Sequence, residues 1–138
     1  MFSDDEGVSW VSPVELDRTI TGDRHQPRYA SNGRLVICFR DRIAKSPTWG
    51  HFVAWVGTYQ DLRNCREGQY RIKLLHSYDE QKAHDCGYSG LELLPDDTLV
   101  GHYLYQVQTG TGKAVCGECP VQVEGDRQLS ILKQVSEQ

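Results

Sequence analysis

The feature that most constrains this chain is an internal repeat. Residues 23–39, Asp-Arg-His-Gln-Pro-Arg-Tyr-Ala-Ser-Asn-Gly-Arg-Leu-Val-Ile-Cys-Phe, lie over residues 87–103, Gly-Tyr-Ser-Gly-Leu-Glu-Leu-Leu-Pro-Asp-Asp-Thr-Leu-Val-Gly-His-Tyr, at an offset of 64. Both copies read as strand, two-residue turn, strand. Asn32-Gly33 sits over Asp96-Asp97 as turn residues, Leu35-Val36 over Leu99-Val100, and Phe39 over Tyr103. Identities are few, but turn chemistry and apolar pattern agree, and repeats on this scale build blades or solenoid coils.

Two more strand-like runs lie between the copies. His51–Tyr59 and Gln69–His76 are rich in β-branched and aromatic residues, and Tyr70 to Leu74 alternates in polarity. With the first copy they predict four antiparallel strands, near 24–30, 34–41, 51–59 and 69–76. A polar loop spans Asp61–Gly68, and residues 126–138 read either as a short amphipathic helix or as a closing strand through Leu129–Leu132.

At the start of the chain, Ser3-Asp4-Asp5-Glu6-Gly7-Val8-Ser9-Trp10 fits S-x-D-x-G-x-[ST]-W, the Asp-box turn of β-propeller blades. In such a turn Asp5 accepts backbone N–H groups, helped by Ser3 and Ser9; Gly7 supplies φ > 0, and Trp10 is expected to insert between strands. The expected class is therefore all-β: a partial propeller with a blade end at 1–20, a blade at 21–84, a blade start at 85–125 and a tail at 126–138. A propeller needs about 4–8 blades to close. A chain of 138 residues holds two such units and a part, which reads as a fragment with open sheet edges.

A net charge of −4 disfavours nucleic acid as a partner, and no apolar run reaches the ~20 residues of a membrane span. Met1 is followed by acidic residues rather than by a signal peptide. The five cysteines, Cys38, Cys65, Cys86, Cys116 and Cys119, are too few and odd in number for a disulfide scaffold. Cys116-Gly117-Glu118-Cys119 has the spacing of half a zinc site or a redox pair. His84 and Cys86 are the nearest completing ligands, four well-placed ligands are not evident, and incidental cysteines are the expectation. No metal or other cofactor is expected.

The segments Gly22–His25, Gly33–Asp41, Ala54–Tyr59 and Asp85–Asp96, taken with the Asp box, resemble the sialidase (neuraminidase) superfamily, in particular its bacterial exo-α-sialidase-like members with BNR repeats. The resemblance covers about residues 3–105. It implies a six-bladed propeller, a glycoside hydrolase acting on terminal acidic sugars, and a secreted or periplasmic parent protein. Arginines of this family grip the substrate carboxylate, since a guanidinium is always charged and binds in bidentate fashion. A tyrosine serves as nucleophile, because a neutral phenol avoids repulsion by that carboxylate.

By position, Tyr88 matches the nucleophile and Arg24 a member of the arginine cluster. Glu92, four residues on and on the same face of a regular strand, is a candidate supporting carboxylate. Arg40, Asp41 and Arg42 are expected as a network around Arg24, with His25 and His102 at the same channel mouth. Each also has a plain reading: a core or rim aromatic for Tyr88, a solvated charge for Arg24, a surface residue for Glu92, a strand-end ion-pair cluster for Arg40-Asp41-Arg42, and structural histidines. The family's general-acid aspartate has no counterpart in Ser46–His51, and two further arginines are unassigned, so the chain alone is expected not to turn over substrate. The alternatives are a non-catalytic glycan-binding propeller and a truncated remnant with an interaction role, completed by missing blades or by self-association.

Overall fold

The structure is a computed structural model that describes residues 1–76, 86–106, 114–123 and 129–131, with side chains described up to residue 103 except at position 87. It is all-β. A first antiparallel sheet has the order β1 (Gly22–Tyr29), β2 (Leu35–Asp41), β3 (Phe52–Gly57), β4 (Tyr70–Leu75). A second has the order β5 (Cys86–Leu93), β6 (Thr98–Gln106), β7 (Ala114–Val123), β8 (Leu129–Ile131). The second unit is thus a full four-stranded sheet rather than a blade start, and Leu129–Ile131 joins it as the closing strand. The two sheets do not form a closed ring.

The repeat holds bond for bond. Gly22 pairs with Asp41 as Cys86 pairs with Tyr105, and Tyr29 with Leu35 as Leu93 with Leu99, each 64 residues on. Both first strands carry a bulge at the same place, between Asp23 and Gln26 and between Gly87 and Gly90. The hairpins close through Ala30 N to Arg34 O and Gly33 N to Ala30 O, and identically through Leu94 N to Thr98 O and Asp97 N to Leu94 O. The connections are longer than two residues, with Gly33 (φ 78°) and Asp97 (φ 68°) as left-handed counterparts near their tips. Asp97 tolerates the conformation because its short side chain does not crowd the backbone.

Strands β2 and β3 are buried along their whole length because both faces of the first sheet are covered. Val36, Cys38, Phe52, Ala54 and Val56 pack against Cys86, Leu91, Leu99 and Tyr103 of the second sheet. Leu35, Ile37, Phe39, Val53 and Trp55 form the opposite face, under Ile20 and Leu62. Leu99 and Tyr103 are the repeat counterparts of Leu35 and Phe39, so the sheets stack head to tail: equivalent faces point the same way.

The opposite face is closed by local chain rather than by a sheet. A 3₁₀ turn, Arg18–Ile20, is capped by Asp17, which accepts from Thr19 N at 2.8 Å. The expected loop at 61–68 begins instead as a short helix, α1 (Tyr59–Arg63), because Thr58 and Asp61 form a reciprocal capping box. Trp55 is fully buried, and its Nε1 donates to Glu67 O at 2.6 Å.

The Asp-box turn forms, but not as a blade hairpin. Ser9 N and Ser9 Oγ donate to Asp5 at 2.8 and 2.5 Å, Gly7 N donates to Ser3 Oγ at 2.7 Å, and Gly7 has φ 90°. No strand is found before residue 22, and Trp10 is 59% exposed with its Nε1 donating to Gly7 O. The expectation that Trp10 inserts between strands is overturned, since no flanking strands exist to receive it. Arg63 instead tethers the turn through a paired contact with Asp4 at 2.7 and 2.5 Å.

Candidate functional site

The two bulges build the site. Among the described residues of β1 and β5, Arg24 and Tyr88 adopt left-handed backbone conformations, φ 61° and 52°, at equivalent positions of the repeat. Such a conformation costs a non-glycine residue roughly 1–2 kcal/mol, and it turns the side chain out of the regular alternation. Because the first strands of the two sheets lie side by side, the paired bulges bring the residues together. The Arg24 guanidinium carbon lies 4.0 Å from the centre of the Tyr88 ring, and Arg24 Nη1 donates to Cys86 O at 3.2 Å. Tyr88 is 65% exposed, whereas the adjacent Ser89 Oγ is buried without a hydrogen-bond partner among the described residues.

Glu92 is placed differently from the expectation. The bulge breaks the regular alternation on which a shared face with Tyr88 rested, and the Glu92 carboxylate is engaged by Arg28 Nη2 at 2.5 Å. Arg28 and Glu92 are themselves repeat counterparts, a pairing that the 64-residue alignment already contained.

The Arg40-Asp41-Arg42 group centres on Asp23 rather than on Arg24. Arg40 grips Asp23 with Nε and Nη2, both at 2.8 Å, and Arg42 Nε adds a third contact at 3.0 Å. Burial pushes the Asp23 carboxyl upward, but the two guanidiniums outweigh it and hold the group below the usual carboxylate value. Asp41 points the other way. It is fully buried, accepting from Ser46 Oγ and Thr48 Oγ1 at 2.6 Å and from Ile43 N at 2.8 Å, with Arg71 Nη2 at 2.9 Å. Burial again works against the charge, and those donors together keep it ionised. Asp41 therefore fixes the β2–β3 loop and does not contact a ligand-facing group. Asp23 as counter-ion and Arg71 as partner were missed in the sequence because both act across strands, where no local spacing announces them.

The histidines do not share a channel mouth. His25 stacks on Phe39 at 4.8 Å, and its Nε2 lies 2.9 Å from Ile20 O, beside a cleft of about 440 Å³ lined by Leu16, Ile20, Gly22, Pro27, Ile37 and Leu62 among others. His102 is exposed and packs against the bare Cα of Gly90.

Among the described residues no group of three or more His, Cys, Asp or Glu is placed to hold a metal ion, and no helix is long and apolar enough to cross a membrane. Cys38, Cys65 and Cys86 form no disulfide; the side chains of Cys116 and Cys119, and all of His84, lie outside the described residues. No family model, curated protein or solved structure matches this chain.

Proposed function

We propose that this chain is a section of a sialidase-like, propeller-forming glycoside hydrolase that acts on terminal acidic sugars, with Arg24 holding the sugar carboxylate and Tyr88 as nucleophile. The observation that carries the reading is the meeting of Arg24 and Tyr88, equivalent positions of two repeats, through matching left-handed bulges. Backbone strain retained at two such positions is characteristic of sites where geometry matters more than stability. Ser89 Oγ beside Tyr88 is a further buried polar group with no hydrogen-bond partner among the described residues.

Turnover needs a base beside the phenol, since a neutral hydroxyl is a weak nucleophile until a neighbouring group takes its proton. Glu92 is occupied by Arg28, and this favours acidic-sugar binding without turnover as the property of the chain alone. The sugar approaches from the exposed face of Tyr88, beside which the Arg24 guanidinium lies.

The test is titration with a methyl sialoside followed by NMR, alongside hydrolysis of an aryl sialoside. Binding that Arg24→Ala abolishes and Tyr88→Phe leaves within about threefold supports the reading; binding indifferent to Arg24→Ala sinks it. In a parent protein with the remaining blades, Tyr88→Phe removes turnover while affinity persists.

A further inference from the structure

The cleft beside His25 is a second candidate site, and we infer that it binds small hydrophobic amines, with an apolar ring or branched chain against its floor and a protonated amine at its rim. The inference is independent of the sugar reading.

At about 440 Å³ the cleft lies within the size range of pockets that hold small molecules. Its lining comes from the segment 15–21, from Gly22, Pro27 and Ile37 of β1 and β2, and from Leu62 of α1. No neighbouring sheet is required to close this face, because Ile37, Phe39 and Trp55 are already buried beneath Ile20 and Leu62. The cleft is therefore an opening within the chain's own cover of the sheet, of a size for a small ligand rather than for another layer of strands. Leu16, Ile20, Pro27, Ile37 and Leu62 make its lining largely apolar.

The polar side chains around it mostly accept hydrogen bonds. Asp17 uses Oδ1 for Thr19 N at 2.8 Å and Thr19 Oγ1 at 2.6 Å, which leaves Oδ2 without a hydrogen bond among the described residues. The Thr19 hydroxyl and then its amide hold this carboxyl below the usual value, so it stays charged; Arg18 acts on it from outside the lining and has the smallest influence. Glu15 adds a second, exposed carboxylate. At His25, Nε2 lies 2.9 Å from Ile20 O; a carbonyl only accepts, so Nε2 carries the proton and Nδ1 of the neutral ring is an acceptor. The Thr21 hydroxyl can act either way, and among the described residues no lysine or arginine lines the cleft. An anion would meet two carboxylates, and a neutral guest would gain nothing from their charge. A protonated amine gains from both.

Titration of the chain with 2-phenylethylamine, protonated at pH 8, followed by amide NMR at Thr21, Gly22 and His25, reads binding; 2-phenylethanol and 3-phenylpropanoate are the neutral and anionic comparisons. For the amine a dissociation constant of about 1 mM is expected, with the alcohol about fivefold weaker and the acid weaker still. Asp17→Asn removes the charge and keeps the cap, since Asn caps as well as Asp. It is expected to weaken the amine about threefold, and combined with Glu15→Gln to bring amine and alcohol within about twofold, the alcohol itself unmoved. Unmoved alcohol binding also reports that the cleft is intact. Glu15→Gln alone, at an exposed position, gives the same readout if Asp17→Asn disturbs the turn. No saturable shift by the amine up to about 20 mM, alcohol or acid binding as tightly as the amine, or amine affinity unchanged in the doubly substituted chain overturns the inference.

Discussion

Arg24 and Tyr88 occupy the same position of two sheet units, share a left-handed backbone, and stack with 4.0 Å between guanidinium carbon and ring centre. The bulge is thus the device that turns a sequence repeat into a spatial pair. Coupling between them is measurable. In a double-mutant cycle with Arg24→Ala and Tyr88→Ala, urea unfolding is expected to return a coupling of about 0.5–1 kcal/mol. Additive single effects would mean that the stack contributes nothing.

Asp41 holds the β2–β3 loop from within the core. Replacing it by Asn leaves Arg71 without its charged partner and the loop donors poorly matched, and is expected to cost about 3–5 kcal/mol in chemical denaturation. Arg71→Met, which removes the partner cation instead, leaves Asp41 with its three neutral donors and is expected to cost less.

Acid sensitivity follows from Asp23 and Asp41. Both carboxyls sit below their ordinary value of 3.8 in the folded chain. A folded-state value below the unfolded one gives stability that is present above the unfolded value and lost as pH falls through the folded value. Stability is therefore expected to be flat from neutral pH to about 5 and to fall below about 4, and Asp23→Asn should shallow that acid limb. An unchanged limb in urea midpoints measured against pH contradicts this.

Gly68 and Gly33 both have positive φ, 83° and 78°, yet their surroundings differ. A Cβ at Gly68 would lie 2.5 Å from Trp55 Cε2, whereas one at Gly33 meets nothing within 4 Å. Gly33→Ala is expected to cost about 1 kcal/mol from backbone conformation alone, and Gly68→Ala about 2–4 kcal/mol because the buried indole must also move. Equal losses in thermal denaturation would argue against the Trp55 contact.

The Asp-box turn is a local unit at the surface. Asp5 sits below its ordinary value chiefly because the Ser9 hydroxyl and then the Ser9 amide bind its charged form. Asp5→Ala is expected to speed amide exchange at Ser9, with the cooperative unfolding of the two sheets unmoved. A drop in the global midpoint would show that the turn supports the sheets.

The strands of the first sheet were legible because their residues carry the information locally: apolar runs such as Leu35–Phe39 and Phe52–Val56 are the pattern of strands covered on both faces. The weaker strand Ala114–Val123, with Gly117 and Pro120 inside it, was not. Helix α1 was missed although Thr58 and Asp61 carry its cap, since five residues offer too little periodicity to read. The sequence by itself determined the 64-residue period, the turn positions and the alignment of Arg24 with Tyr88, because these depend on residue type and spacing along the chain. Only the tertiary structure decided that the two side chains touch, that Asp23 rather than Arg24 draws Arg40 and Arg42, and that Glu92 belongs to Arg28. Those outcomes depend on strand register and on which sheet faces meet, where charges far apart in sequence compete for the same partner at a few ångströms.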